Sequence, residues 1–402
     1  MSKDSRSLEA TTLSEQKRRW DVLRKVMRTE KLDAVICQSA NNMTGIGGYL
    51  RWMSGFSAAG SYPVTALLPL DGPLVFVRHG GFGGVVEPSE EKLAQGYGQI
   101  IQTPTFPAIE YSMGYDFGLA TEEIRRAGYR RIGILGGQAM YYGIGAGLHK
   151  ELAPTVEIVD ITPQIDIQKA VKSAEEIELI RAAAKMQDEL MERLVAFVKP
   201  GLRDFEVTAY AQYTGQLLGS ETGFFLGSSF AFGDGSLPLR PKSEQGREIR
   251  EGDLFFILLE NSGAGGMFTH MSRIISVGGP PPAELQDTFE KVLEVRRFNL
   301  SQMTPGRDCA DIFAEYNDHM RQNGYPEERR LHAHGQGLDV VERPLIRSDE
   351  TMALAANMNL GVHPFIYDER KFVSCCDNYL LHEDGRMERL HSCPEEILIA
   401  GS

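Results

Sequence analysis

The sequence predicts two domains: an α/β domain over residues 1–165, followed by an α+β domain over residues 166–402. Three observations carry this prediction. Helix and strand signals alternate as far as residue 165, a long capped helix begins after Lys172, and a Pro-Gly junction occurs twice in the second domain. A chain of 402 residues is long enough to bury a sizeable core in each domain.

The first domain alternates helices with short strands. Residues 14–30 are charged and amphipathic, and their apolar Trp20, Leu23 and Val26 recur at helical spacing, which predicts a helix. Apolar and β-branched runs predict strands at residues 34–37, 64–68, 74–77, 131–135 and 157–159. The turn residues 71–73 separate the second and third of these runs, which therefore predict a hairpin.

The second domain begins with a capping-box pattern and contains a weak internal repeat. Ser173 and Glu176 have the spacing of a capping box and open a helix that runs towards Val198. Residues 200–201 and 305–306 are both Pro-Gly, and each pair closes one helix, starts another and is followed by strands. Two similar halves predict a pseudo-twofold domain with a site between them. The alternative is that two helix junctions share a Pro-Gly by chance.

Composition excludes several classes of protein. A content of 42% hydrophobic and 24% charged residues is ordinary for a soluble globular protein. The net charge of −13 argues against a nucleic-acid or anionic-membrane partner. No apolar run has the length of a membrane span, and the polar N-terminus lacks the apolar segment of a signal peptide. Five scattered cysteines do not form a disulfide framework, so we expect a cytoplasmic protein.

The segment with the clearest chemical content is residues 331–344, LHAHGQGLDVVERP. It places His332 and His334 beside two glycines and follows them with an acid and a proline. Glycines let the backbone come close to whatever the imidazoles contact. Such a cluster indicates a metal site or an acid/base site.

These residues, with several others, resemble the creatinase/aminopeptidase P family. The matching segments are the helix start at 172–177, the two Pro-Gly junctions, Gly252-Asp253-Leu254, residues 334–340, Val362-His363-Pro364 and residues 377–385. The resemblance covers most of residues 165–400, and the first domain is similar in layout to the smaller domain that precedes it in the family. It implies the pita-bread fold, in which two α+β halves surround a curved antiparallel sheet. It also implies a homodimer.

Metal-dependent members of that family hold two divalent ions with two Asp, one His and two Glu, and this chain departs from that set. The first Asp position falls at Leu259 or Glu260, the second at His270, the first Glu at His363 and the last Glu at Cys376, beside Asp377. His334 alone is clearly retained. Val341 and Leu239 replace two further histidines. A bridging pair of hard cations needs shared carboxylate oxygens that this set lacks, so we expect no prolyl peptidase activity.

Two explanations of the altered site compete. In one, Glu260, His270, His334 and His363 bind a single borderline cation, Fe²⁺, Zn²⁺ or Mn²⁺, and leave positions open for water or substrate. In the other, the site holds no metal, as in creatinase. His334 or His270 then moves a proton, while Glu260 and Glu342 bind a polar substrate group. A third reading is a non-catalytic protein whose histidines only satisfy hydrogen bonds.

Further candidates surround this cluster. His332 is a second acid/base or a hydrogen-bonded support of the site. Arg343 and its neighbour Arg347 are placed to clamp a carboxylate, or else form an exposed charged loop. Asp234 lies in a glycine-rich loop at the position where the family lines its substrate pocket. The resemblance also implies that Arg51 contacts substrate across the dimer interface, because the corresponding region reaches the partner subunit's active site in creatinase-like dimers.

The resulting hypothesis is a hydrolase of creatinase type that cleaves a C–N bond in a small polar, non-peptide metabolite. Water attacks, and His334 or His270 delivers a proton to the leaving nitrogen. The alternatives are a lyase, an iron-dependent oxygenase and a binding protein without catalysis. The expected partners are a small-molecule substrate and a second copy of the chain, with no nucleic acid and no membrane.

Overall fold

The computed structural model describes residues 11–39, 47–56, 62–234, 239–368 and 371–401. The chain divides into two compact units, one that ends at Lys169 and one that begins at Ala170. The boundary predicted after residue 165 therefore lies inside the helix Thr162–Ala170, a few residues before the division between the units.

The first unit packs helices against a mixed sheet. Its helices are α1 (Leu13–Glu30), α2 (Gly48–Ser54), α3 (Glu90–Gln95), α4 (Met113–Arg126), α5 (Tyr142–Leu152) and α6 (Thr162–Ala170). Its strands are β1 (Ala34–Ser39), β2 (Val64–Pro69), β3 (Leu74–His79), β4 (Val85–Val86), β5 (Tyr97–Thr103), β6 (Arg131–Leu135) and β7 (Glu157–Asp160). They lie in the order β4-β5-β3-β2-β1-β6-β7.

Local signals explain why these elements form. Helix α1 begins where the Thr12 hydroxyl accepts the Glu15 backbone N–H at 3.2 Å, and it buries Trp20, Leu23 and Met27 on one side. Every residue of β1 is buried, because β2 and β6 flank it in the sheet and helices cover the sheet. Strands β2 and β3 pair antiparallel, which confirms the predicted hairpin.

The second unit combines two pairs of long helices with antiparallel sheets. Its helices are α7 (Ala174–Phe197), α8 (Asp204–Leu218), α9 (Ala283–Gln302) and α10 (Cys309–Gln322). Its strands are β8 (Gly223–Phe230), β9 (Leu254–Ser262), β10 (Phe268–Val277), β11 (Ala333–Gly335), β12 (Glu342–Leu345), β13 (Asn359–Val362), β14 (Phe365–Tyr367), β15 (Phe372–Ser374), β16 (Asp377–Leu381), β17 (Met387–Arg389) and β18 (Leu398–Ala400). The predicted α/β and α+β domains are thus both present.

The strands of the second unit form two main sheets, with orders β18-β10-β9-β8 and β12-β11-β13-β16-β17. All neighbouring pairs in them are antiparallel except β10 with β18. A bridge between Ser272 and Cys376 connects β10 to the start of β16 and so links the two sheets. The catalytic candidates lie on the strands next to this link.

The two halves of the second unit begin with equivalent hydrogen bonds. The Gly201 N–H donates to the Ile249 carbonyl at 2.9 Å, and the Gly306 N–H donates to the Leu354 carbonyl at 2.7 Å. Both residues of the second bond lie 105 positions after their counterparts in the first. Gly201 and Gly306 also share a φ of 89°, a conformation that favours glycine. These equivalences support an internal repeat, since chance would not reproduce the bonding pattern.

Each half has its own apolar core. Helices α7 and α8 pack on one face of β9 and β10 through residues such as Leu194, Val207 and Ile257. Residues of α10 pack with β13 and β16 through Ile312, Leu360 and Leu381. All five cysteines are buried and free. No helix among the described residues is both long and apolar enough to cross a membrane.

Candidate active site

Strand pairing places Glu260 directly opposite His270. The two residues are partners in the antiparallel ladder of β9 and β10, and the Glu260 Oε1 lies 3.6 Å from the His270 Nδ1. The Gln336 side-chain amide donates to the same Oε1 at 3.1 Å. Burial raises the pKa of Glu260 to about 8, so this carboxyl group carries a proton at neutral pH in the absence of a cation.

His334 enters the cluster from the second sheet, on β11. Its Nδ1 lies 2.9 Å from the Gly335 carbonyl oxygen, which can only accept, so Nδ1 carries the hydrogen. The lone pair of neutral His334 is therefore on Nε2. Burial lowers the pKa of His334 to about 4, which keeps the ring neutral and available as a ligand at pH 7.

A third imidazole, that of His363, lies beside the imidazoles of His270 and His334. The ring centroids are 5.9 Å apart for His270 and His334, 5.5 Å for His270 and His363, and 5.3 Å for His334 and His363. Gly361 leaves room for them, because an added Cβ would lie 3.4 Å from the His270 Nδ1 and 3.6 Å from the His334 Cε1. Burial, reinforced by the neighbouring histidines, holds the pKa of His363 well below its usual value.

Glu260, His270 and His334 can together hold a metal ion. One donor atom from each lies within 4.8 Å of the other two, and all three side chains are buried. The His270 Nδ1 has no hydrogen-bond partner although it is buried. Two ligands of one tetrahedral cation with ~2.1 Å bonds stand roughly 3.4 Å apart, close to the Glu260–His270 separation. His363 faces this group but is not part of it.

A network of buried amides holds the cluster in place. The Asn378 Oδ1 accepts the His270 backbone N–H at 2.5 Å, and its Nδ2 donates to the Gln336 Oε1 at 2.9 Å and the Asn359 Oδ1 at 3.0 Å. Gln336 in turn contacts Glu260. This network could not be predicted from the sequence, because Asn and Gln have no ligand spacing of their own. Asn359 and Asn378 lie on β13 and β16, and Gln336 follows β11, so their position beside the candidate ligands is a tertiary property.

Asp377 and Cys376 have other partners. Asp377 accepts hydrogen bonds from Arg273 at 2.8 Å, Arg296 at 2.9 Å and Arg389 at 3.1 Å. Burial opposes its ionisation, but the charges of Arg273 and its neighbours hold the pKa of Asp377 well below the usual range. Burial raises the pKa of the Cys376 thiol well above its usual value, and that thiol lies 3.7 Å from the His270 carbonyl. Neither residue belongs to the three-donor group.

The remaining candidates of the histidine segment contact the surrounding protein. His332 is fully buried, stacks on Tyr316 with ring centroids 3.9 Å apart, and has its Nδ1 2.7 Å from the Asn299 amide nitrogen. Glu342 forms an ion pair with Lys172 at 2.7 Å and accepts the Leu338 N–H at 2.9 Å. Both oxygens of Glu342 therefore have partners within the chain.

The substrate-binding candidates are spread more widely. Arg343 is paired with Glu350, and Arg347 with Asp349. Asp234 is exposed at the end of the segment that follows β8, and residues 235–238 of the same loop lie outside the described residues. Arg51 lies on α2 in the first unit. Leu239 and Val341 are exposed, at 44% and 47%.

The fold and the buried cluster of two imidazoles and a carboxylate define a pita-bread protein with a candidate cation site. Residues 178–383 match the model of metallopeptidase family M24, which is half of the chain. The chain belongs to metallopeptidase family M24. This membership confirms the resemblance to the creatinase/aminopeptidase P proteins.

Similar proteins are peptidases by name. The chain is 25% identical over 303 residues to the uncharacterized peptidase YqhT of Bacillus subtilis, covering 74% of this chain and 83% of that protein. It is 28% identical over 257 residues to an Xaa-Pro dipeptidase of Pyrococcus furiosus, covering 62% of this chain and 71% of that protein. The structure of an X-Pro aminopeptidase from Thermotoga maritima superposes with a TM-score of 0.77 at 18% identity, covering 96% of this chain and 99% of the other, and shows the same fold. The names of these relatives support a hydrolase and speak against excluding prolyl peptidase activity.

Proposed function

We propose that this protein hydrolyses a C–N amide bond in a small polar substrate with the help of one divalent cation. The three-donor group of Glu260, His270 and His334 carries the proposal. Its side chains are buried, and one donor atom from each is close enough to the other two to share one ion. Two imidazoles and one carboxylate suit a borderline ion such as Zn²⁺, Fe²⁺ or Mn²⁺. Such an ion, when bound, supplies Lewis acidity to the scissile carbonyl and to water.

Protonation in the cluster suits this role. His270 and His334 present neutral nitrogens, since burial lowers the pKa of each. Glu260 must lose its proton to become a ligand, and a nearby dication favours that loss. The Gln336 amide and the Asn378 side chain fix Glu260 and His270 in position, so little reorganisation is needed.

His363 remains free to move a proton. Its ring faces His270 and His334 without belonging to the ligand group. Its pKa is lowered mainly by burial, so the ring is neutral at pH 7, a weak base, and a strong acid once it is protonated. We therefore assign His363 the delivery of a proton to the leaving nitrogen, a proton that it receives from the attacking water as the C–N bond breaks.

The arrangement around Asp377 disfavours a second cation. Three arginines, Arg273, Arg296 and Arg389, surround this one aspartate, and Glu395 pairs with Arg296 and Arg389. The local charge of these five groups is positive before any ion binds. Placing a further dication beside them would cost electrostatic energy in a buried environment. We therefore propose a site for a single ion.

Two substrate classes follow from different observations. The altered ligand set favours a non-peptide amide of the creatinase type, as the sequence indicated. The relatives named Xaa-Pro dipeptidase and X-Pro aminopeptidase favour a peptide bond before proline. Both reactions cleave a C–N bond and release an amine, so one amine-release assay detects both. The choice of substrate in that assay distinguishes the two classes.

The test is amine release by the full chain loaded separately with Zn²⁺, Mn²⁺ or Fe²⁺. The substrates are a panel of Xaa-Pro dipeptides and small non-peptide amides and guanidino compounds, with products detected by mass spectrometry. We expect turnover of at least one class, and a loss of at least about 100-fold in His334→Ala. His149→Ala, which removes an exposed histidine on α5, serves as the control and keeps full turnover. Undiminished turnover in His334→Ala, or no product with any ion, contradicts the proposal, and turnover insensitive to chelator favours the metal-free alternative.

A further inference from the structure

The loop of residues 336–341 connects β11 to β12 and carries Gln336, whose side-chain amide donates to Glu260. The same amide nitrogen also donates to the Val340 carbonyl, within the loop, at 3.0 Å. The direction in which Gln336 points therefore depends on where the loop places Val340. The conformation of this loop is thus part of what orients a candidate ligand.

The Glu342 carboxylate holds this loop from its far end. Its Oε1 accepts the backbone N–H of Leu338 at 2.9 Å and that of Asp339 at 3.2 Å. Its Oε2 accepts a hydrogen bond from the Lys172 ammonium group at 2.7 Å. Only 6% of the Glu342 side chain and 4% of the Lys172 side chain are exposed, so the ion pair is buried. Charge-assisted hydrogen bonds of this kind are short and strong, and they fix the loop to the carboxylate.

Lys172 is itself fixed just before the start of α7. Its backbone N–H donates to the Asn357 carbonyl at 2.9 Å, and its neighbour Val171 forms a β-bridge with Met358. These two partners directly precede β13, which carries Asn359 of the amide network. The ion pair therefore connects the loop to a part of the backbone that is already attached to the site.

Gly337 shows how closely the ion pair packs against the loop. A Cβ added to Gly337 would lie 2.6 Å from the Glu342 Oε2 and 2.6 Å from the Lys172 Nζ, so a larger residue would displace the pair. The Gly337 carbonyl accepts the backbone N–H of Phe268 at 2.7 Å, at the start of the strand that carries His270. The loop is thus held by the ion pair on one side and by β10 on the other.

We propose that Glu342 and Lys172 are positioning residues for the candidate ligand Glu260. They hold the loop 336–341, and the loop directs the Gln336 amide at the Glu260 carboxylate. Both oxygens of Glu342 accept hydrogen bonds within the chain, which favours this role over the substrate contact expected from the sequence. The proposal deepens the proposed function and rests on it for the cation that Glu260 would bind.

The test measures Zn²⁺ binding to the full chain by isothermal calorimetry, so that it does not depend on turnover. We expect Glu342→Gln and Lys172→Met each to weaken binding at least about tenfold, the usual effect of removing a group that supports a metal ligand. Each substitution leaves the remaining member of the pair buried without its partner, and the loop loses an attachment. Either variant is sufficient if the other does not fold.

A second comparison separates positioning from a general loss of structure. Because the effect passes through Gln336, Glu342→Gln changes the Zn²⁺ affinity by less than about twofold in a protein that already carries Gln336→Leu. A substitution that only loosened the fold would weaken binding equally in both backgrounds. Glu388→Gln is the matched control, because it removes the carboxylate of another ion pair in this unit, with Arg181, and keeps the wild-type affinity.

Unchanged Zn²⁺ affinity in the single variants, an equal loss in both backgrounds, or no Zn²⁺ binding by the wild type overturns the proposal. Unchanged affinity together with a higher KM would assign Glu342 to substrate contact instead. The outcomes also separate this inference from the proposed function. If the affinity depends on Glu342 but no amide is hydrolysed, the positioning role stands and the amide-hydrolase function fails. If amides are hydrolysed and the affinity depends on neither Glu342 nor Lys172, the function stands and the positioning role fails.

Discussion

At the scale of single residues, the candidate site has other residue types at the ligand positions that the resemblance implies. The strands that carry these residues remain in register. Glu260 and His270 occupy facing positions of one ladder, and His334 faces Gly361 in another. Their identity could be predicted from the sequence, because each sits at a fixed distance from a recognisable motif. Whether His363 joins them could not, since this depends on side-chain placement across the two sheets.

The protonation of Glu260 predicts a pH dependence of stability in the metal-free protein. Its folded-state pKa of about 8 lies above the ordinary value of 4.5, so the folded state holds the proton more tightly than the unfolded state. Stability from this group is therefore fully present below about pH 4.5 and is lost as the pH rises towards 8. The Glu260→Gln side chain resembles the protonated form at every pH, so the variant does not lose this stability as the pH rises.

The measurement is the free energy of unfolding of wild type and Glu260→Gln by urea titration between pH 5 and 8.5. The contribution of the histidines to the unfolding free energy is common to both proteins and cancels in the comparison. Because their pKa values are lowered, that contribution is lost as the pH falls below about 6.5. We expect the wild type to lose ~3 kcal/mol relative to the variant across this range. A difference that does not change with pH would show that Glu260 is ionised in the folded protein.

Asp377 gives a second residue-scale prediction. Asp377→Asn leaves Arg273 and Arg296 buried without their main counter-charge, and breaking a buried pair in this way costs about 3–5 kcal/mol. Chemical denaturation measures the change. The matched control is Asp349→Asn, which removes an exposed partner of Arg347 and leaves the unfolding free energy unchanged. Equal effects of the two substitutions would contradict the structural role of the Asp377 cluster.

At the scale of elements, the sequence predicted what local chemistry determines. The capping box of Ser173 and Glu176 is present at the start of α7, because its hydrogen bonds need only residues three apart. The arginines that hold Asp377 could not be predicted in the same way. Arg296 lies on α9, 81 positions before Asp377, and nothing in its own segment signals the pairing.

The repeated Pro-Gly junctions give a prediction at this scale. Gly201 and Gly306 have the same φ of 89°, and an added Cβ would meet nothing within 4 Å at either position. Alanine substitution therefore costs only backbone strain, ~1 kcal/mol at each site, and the two costs are equal. Gly145→Ala in helix α5, where space is also open and φ is not positive, is neutral or stabilising. Thermal unfolding of the three variants compares them, and clearly unequal losses at 201 and 306 would show that the two halves are not equivalent.

At the scale of the whole molecule, the chain has the fold of a metallopeptidase family but a different set of candidate ligands. Element order and the two similar halves predicted an α/β domain and a pseudo-twofold second domain, whereas the pita-bread fold was implied by the resemblance to the creatinase/aminopeptidase P family. The site was only partly predictable, because the amide network around Asn378 arises from tertiary packing. The homodimer and the cytoplasmic location expected from the sequence remain predictions.

Cation binding by Glu260, His270 and His334 is the central claim, and anomalous diffraction from crystals of the Zn²⁺-loaded full chain tests it most directly. We predict one anomalous peak per chain between these three side chains, lost in His334→Ala and retained in His149→Ala. Two peaks per chain, a peak held by other residues, or no peak at this cluster would contradict it.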